Sequence, residues 1–301
     1  MMRRRRFLPV AGFAFCLLAM FEAAAARPIV KRPIVDDPRG SVIARVLAAF
    51  TAHADPVRLW YAEALRGRRV DSMTYFDRGA MGGQFDTATF VSVTYTYQSA
   101  GERHTRVYHA RSGHNEPGTG IRGVAGARRY RDYFDANRPE IIAWDEPPAP
   151  GSAVTSSPVM GDMYSNQRKR DAEIKLARRI EADIRAGRVT SGGTLNVYSS
   201  QAPCASCEAA LQALSDAHDI SIHVAWLARG SSAYRIFSRQ RHQHLSTIQA
   251  LVNGGQRASL HLESIVRYHT ISQNTADQCD DHDCPASGEV VDPEPPERPV
   301  M

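Results

Sequence analysis

The sequence predicts an α/β fold in which helices lie on a mixed sheet, and three observations predict it. TFVSVTYTYQSAGERHTRVYHA (89–110) alternates β-branched and aromatic residues on both sides of a break at SAGE, the pattern of a hairpin. Beyond it, stretches with helical spacing of apolar residues alternate with runs of strand length, giving hairpin, α, β, α, β, α, β. The 301 residues are 43% hydrophobic and 8% aromatic, which suffices for one sizeable domain and excludes a disordered or collagen-like chain.

The elements follow in order. Residues 1–26 read as a signal peptide: MMRRRR is a positive head, FLPVAGFAFCLLAMF an apolar segment too short to favour a permanent span, and FEAAAA a small-residue cleavage site. The expectation is a secreted or periplasmic protein exported by the general secretory route. Arg4-Arg5-Arg6-Phe7-Leu8 also fits the twin-arginine pattern. Residues 27–84 read as a linker and helical prefix. RPIVKRPIVDDPRG (27–40) is proline-rich and predicts an extended linker; 41–54 and 56–67 have helical spacing, with Ser41 and Asp55 as N-caps.

The domain proper is expected over 85–270. After the hairpin comes a glycine-rich loop (111–126) without the lysine and hydroxyl of a phosphate-binding loop, then a short helix over 127–140 and a proline- and serine-rich loop over 147–161. A helix is predicted over 166–187, with Leu176, Ile180 and Ile184 in one row and Gly187 as its stop. Strand 193–200, helix 203–218, strand 220–228, helix 238–252 and strand 257–269 complete a five-stranded sheet, the last two strands parallel because a helix joins them. Residues 271–301 form an acidic, proline-rich tail.

Charge divides along these lines. Without the leader the chain carries 33 basic and 31 acidic residues, and the body over 27–276 has a net charge of about +9, because eight acids lie in 277–301. A basic body suits a polyanion, and it equally suits a solvated arginine-rich surface.

Four cysteines remain beyond the leader, in the pairs Cys204/Cys207 and Cys279/Cys284. QAPCASCEAA places Cys204 and Cys207 one turn apart at a helix start, where free amides and the positive dipole end favour thiolates. Such a pair serves as a redox disulfide, as half of a four-cysteine structural zinc site with Cys279 and Cys284, or as ligands of a catalytic metal. CDDHDC (279–284) in an exported chain reads first as a small disulfide loop. His242 and His244, beside Arg239 and Arg241, read as a solvated helix face, Trp226 as core, and the tyrosines of VSVTYTY as a half-buried hairpin.

DAEIKLARRI and GTLNVYSSQAPCASCEAAL together resemble the zinc-dependent cytidine deaminase-like superfamily, whose signature is His-x-Glu on one helix and Pro-Cys-x-x-Cys on the next. More narrowly, the stretch is similar to deaminase domains of bacterial secreted and polymorphic toxins. Here Asp171 stands where most relatives have His or Cys, and a carboxylate is an acceptable zinc ligand. The resemblance implies a three-layer α/β/α deaminase-like fold and Zn2+ held by Asp171, Cys204 and Cys207. It further implies Glu173 as the proton-transferring residue, and Ser199, Ser200, Gln201 and Ala202 along the base pocket. The implied activity is hydrolytic deamination of cytosine or adenine in a nucleoside or in single- or double-stranded nucleic acid. A toxin or effector role would bring an immunity protein and secretion machinery as partners, with no stable membrane span. The alternative is an exported binding protein without turnover, held by a structural zinc or a Cys-x-x-Cys disulfide.

Overall fold

A computed structural model describes residues 27–66, 78–114, 140–155 and 168–251, with residue 254. The leader, nearly all of the helix expected over 127–140, the strand expected over 257–269 and the tail with Cys279 and Cys284 lie outside the described residues.

Six strands, β1 (Val30–Ile34), β2 (Phe90–Ser99), β3 (Glu102–Arg111), β4 (Ile141–Ile142), β5 (Thr194–Ser199) and β6 (Ser221–Leu227), form one sheet in the order β1-β6-β5-β2-β3-β4. β1, β6 and β5 run parallel, β2 is antiparallel to both β5 and β3, and the short β4 is parallel to β3. The helices are α1 (Ser41–Arg66), α2 (Arg78–Thr87), α3 (Ala172–Arg185), α4 (Ala205–His218) and α5, over 232–251.

Alternation along the strands sends side chains to two separate cores. Val91, Val93 and Tyr95 of β2 pack with Ile174 and Ile180 of α3 and Leu211 of α4. On the other face, Phe90 and Leu227 pack with Phe50 of α1, Phe85 of α2 and Phe237 of α5. Helices thus cover both faces of a mixed sheet, the three-layer α/β/α architecture.

The segment 27–40 is not merely a linker. Its residues 30–34 pair with 223–227 as an edge strand, and Pro33 is tolerated there because one side of an edge strand needs no ladder hydrogen bond. With β4, this makes six strands among the described residues where five were expected. Nor do 41–54 and 56–67 form two helices, since α1 runs through Pro56. A proline inside a helix costs about 3 kcal/mol; burial of Phe50, Ala54 and Val57 in the core opposes that cost. Ser41 is the first helical residue rather than the cap. Asp37 caps instead, its Oδ2 accepting from Val42 N at 2.8 Å and Ile43 N at 2.9 Å.

Because α1 and α2 lie on the sheet, the adjoining face of α5 is not solvated. Arg241 is buried and pairs with Asp86 at 3.4 Å, and His244 Nε2 meets Asp55 Oδ1 at 2.6 Å. Apolar periodicity alone could not reveal an inward face made of an arginine and a histidine.

Candidate active site

The site forms where α3 and α4 begin. The helix expected from 166 starts at Ala172, which leaves Asp171 as its N-cap in extended conformation, φ −66° and ψ 142°. An aspartate there ordinarily accepts from the first amides of the helix. The Asp171 side chain makes no such bond, and its Oδ2 instead lies 3.4 Å from Cys204 Sγ and 3.5 Å from Cys207 Sγ, with an Arg168 guanidinium nitrogen at 3.6 Å.

Lys175 fixes this start in place. Its Nζ donates to Arg111 O at 2.9 Å and Gly113 O at 2.6 Å, while Gly113 N donates to Arg170 O at 3.0 Å. Burial, with Arg111 adding to it, lowers the lysine to about 7. The end of β3 and the turn before α3 are thereby joined.

α4 supplies the sulfurs. Pro203 precedes the N-cap rather than opening the first turn, and Cys204 is the cap, its Sγ accepting from Cys207 N at 3.2 Å. The two Sγ atoms approach to 2.8 Å as free cysteines, well beyond the roughly 2.05 Å of a disulfide. Both thiols were expected to be acidified by the helix end. Cys204 is, chiefly through its hydrogen bond with Cys207; the Cys207 thiol is pushed up by that same bond, by burial, and by Glu173 and Asp171.

Glu173 is buried one residue inside α3. Its Oε1 accepts from Ser199 Oγ at 3.1 Å at the end of β5, and its Oε2 lies 3.6 Å from Cys207 Sγ. Ser199 therefore holds one carboxylate oxygen and leaves the other toward the sulfurs. Burial pushes Glu173 up to about 6, with Asp171 contributing. A carboxylate so placed can take up and return a proton near neutral pH.

The structure brings Asp171, Glu173, Ser199, Cys204 and Cys207 together and places the other three elsewhere. Ser200 is a structural tie, exchanging bonds with the Phe90 backbone through its N and its Oγ, each 2.9 Å. Gln201 and Ala202 are exposed on the wall of a neighbouring cavity of about 470 Å³, which Ser200 also borders. Trp226, expected in the core, is only partly buried and lines that cavity, as do Arg229 and Tyr234, which sequence reasoning passed over. The position of 226–229 at the carboxyl end of a parallel strand, where open α/β sheets bind ligands, was the available signal.

The donor set suits a metal. One oxygen of Asp171 and the two sulfurs lie within 4.8 Å of one another, a mixed O/S set of the kind zinc accepts. As thiolates the two sulfurs would repel the two carboxylates beside them unless a cation joined the four.

Residues 88–227 match the family model described as Toxin-deaminase, the BURPS668_1122 family of deaminases. Over these residues the chain is similar to a toxin deaminase. The match contains β2 to β6, α3 and α4, hence all five converging residues, and it ends at Leu227, the last residue of β6. No curated protein and no solved structure matches the chain. α1, α2 and α5 lie outside the segment matched as a toxin deaminase, although they cover one whole face of its sheet.

Proposed function

We propose that the chain is an exported, zinc-dependent nucleobase deaminase that hydrolyses cytosine or adenine, in a nucleoside or nucleic acid, and acts as a toxin or effector. The observation that carries the reading is the convergence of Asp171, Cys204 and Cys207 with Oε2 of Glu173 beside them. The toxin-deaminase match supports it, as does the basic, apolar, small-residue leader for export.

Asp171, Cys204 and Cys207 would hold the ion. Zinc held there supplies a water nucleophile at neutral pH. Glu173 takes a proton from the attacking water and delivers protons to the ring nitrogen and the departing amino group, so that water and the amino base become the keto base and ammonia. Ser199 keeps Oε1 engaged so that the transfer runs through Oε2. The buried position of Glu173 keeps bulk water from competing for its proton.

Redox service by Cys204 and Cys207 fits the surroundings less well. Reactive thiols sit in electropositive settings, whereas Cys207 faces two carboxylates.

Zinc content and ammonia release test the proposal together. Purified protein is expected to hold one zinc per chain, lost in Cys204→Ser and Asp171→Ala and kept in a Cys279→Ser/Cys284→Ser double variant. Glu173→Gln should keep the zinc and release no ammonia from any nucleoside, DNA or RNA that the parent deaminates. A zinc-bound Glu173→Gln protein with parental turnover, or zinc lost with Cys279 and Cys284, overturns it.

A further inference from the structure

The donor set carries more charge than a divalent ion balances. Metal ligands bind in their deprotonated forms, so Asp171, Cys204 and Cys207 would bring three negative charges to an ion of charge +2, with Glu173 beside them. Ligand charge competes with the ion's pull on water, the service that zinc supplies in the proposed reaction. A cation set against the ligands would offset the excess.

The segment RKRD (168–171), which leads into α3, provides one. Asp171 N donates to Arg168 O at 2.9 Å, closing a turn that brings the two side chains together, and Arg168 Nη1 lies 3.6 Å from Asp171 Oδ2. Oδ2 is also the oxygen that approaches both sulfurs. Three other cations described around this end of α3 are committed elsewhere. Arg170 Nε pairs with Asp145 Oδ2 at 3.1 Å, Lys175 Nζ donates to its two carbonyls, and Arg111 donates to His114 O at 2.6 Å and lies over the Phe85 ring. The Arg168 side chain is 37% exposed and that of Asp171 22%, so as an ion pair alone the contact adds little stability.

We infer that Arg168 is the charge-balancing residue of the metal site: its guanidinium, always ionised, offsets the negative charge of the carboxylate ligand, loosening the hold on zinc and leaving the ion a stronger acid toward water. Resting on the zinc-dependent deaminase reading, this adds to it a residue that acts through Asp171 and touches no reacting atom. The other reading of the contact is mechanical, with Arg168 holding Asp171 toward the sulfurs in place of the missing cap bond. The two have opposite signs. Removing a clamp weakens metal binding, whereas removing a repelling charge strengthens it.

Zinc affinity is measured by competition with a chromophoric chelator on full-length protein carrying Cys279→Ser and Cys284→Ser, so that one site is titrated. A unit charge one contact beyond a ligand oxygen, screened by the solvent that reaches it, changes the affinity for a divalent ion about tenfold. Arg168→Gln should therefore bind zinc about tenfold more tightly and release ammonia about tenfold more slowly. Arg168→Lys, which keeps the charge, should match the parent in both. Lys169→Gln, at the exposed neighbouring position, should change neither. A neutral ligand removes the excess, so Arg168→Gln added to Asp171→His should leave turnover where Asp171→His alone puts it. Cobalt-loaded Arg168→Gln should keep the parental thiolate-to-metal absorption, since both sulfurs stay bound.

Zinc held equally or more weakly by Arg168→Gln overturns the inference, as does loss of the cobalt band, or an Arg168→Lys protein that behaves like Arg168→Gln. If Arg168→Gln tightens zinc while no variant, parent included, yields ammonia, the charge balance stands and the deaminase reading falls. If the zinc-bound parent releases ammonia and Arg168→Gln changes neither affinity nor turnover, the deaminase reading stands and the charge balance falls. A parent that holds no zinc overturns both.

Discussion

Ser199 shows how one hydroxyl converts a buried acid into a directed one. It donates to Glu173 Oε1 and also accepts from Gln201 N at 3.3 Å, linking the carboxylate to the chain segment that borders the cavity. Ser199→Ala removes both bonds while leaving Glu173 in place. Loss of a positioning group beside a metal site costs about 10–100-fold in activity or metal affinity, so the variant should deaminate about 10–100-fold more slowly with stability reduced by only about 1 kcal/mol. Turnover and thermal melts of the same preparation check this. Unchanged turnover would leave Ser199 a purely structural residue. Asp171 presents the converse case, a residue whose cap position is real and whose cap function is not. Sequence spacing gave Asp-x-Glu the same reading whether the aspartate bonded its own helix or faced the cysteines; only the missing cap bond separates the two.

Among the elements, β5 is placed by the turn before it. Gly193 has φ +96°, and a Cβ there would collide with the Thr96 carbonyl of β2. Gly193→Ala should therefore cost at least about 2 kcal/mol, since left-handed strain and a backbone collision add. Gly101→Ala in the hairpin turn, at φ +82° with open space around it, should cost about 1–2 kcal/mol. Denaturant midpoints of the two variants measure the difference, and equal costs would mean that the β2–β5 approach is not as close as the structure has it. The hairpin, α3, β5, α4 and β6 were legible because their apolar periods are strong and each packs on the sheet. β1 was not, because an edge strand containing proline has no local signature and forms only when β6 is already there to pair with it. The start of α3 was also missed, since 167–170 are good helix formers and the break depends on the loop that Lys175 and Arg170 tie down.

At the scale of the molecule, the helical prefix is one of the three layers, and His53 reports on its docking. His53 of α1 is buried, its Nδ1 donating to Ala49 O at 2.8 Å and its ring near Phe90 of β2. Burial holds it well below its ordinary value, with Arg111, His109 and Lys175 adding repulsion. The unfolded chain binds this proton near pH 6.5 while the folded chain resists it, so the full stability is present above pH 6.5 and is lost as the pH falls below that. Thermal melts between pH 7 and 5 should show a fall in Tm that becomes shallower in His53→Gln, which keeps a donor near Ala49 O. The same slope in both proteins would show that other groups set the acid response.

By itself the sequence determined the alternation of strands and helices, the pairing of a Glu-bearing helix with a Pro-Cys-x-x-Cys helix, and hence the residues that meet at the site. These are local matters: side-chain period, turn residues and spacing within one or two turns. Tertiary structure alone decided that Asp171 turns away from its own helix, that 30–34 completes the sheet edge, that α1, α2 and α5 close one face, and that Asp86 and Thr87 of α2 and Tyr234 of α5 join the wall of the cavity beside Ser200. Each of these depends on groups far apart in the chain, and a side chain's partner across such a distance is chosen by packing rather than by its neighbours in sequence.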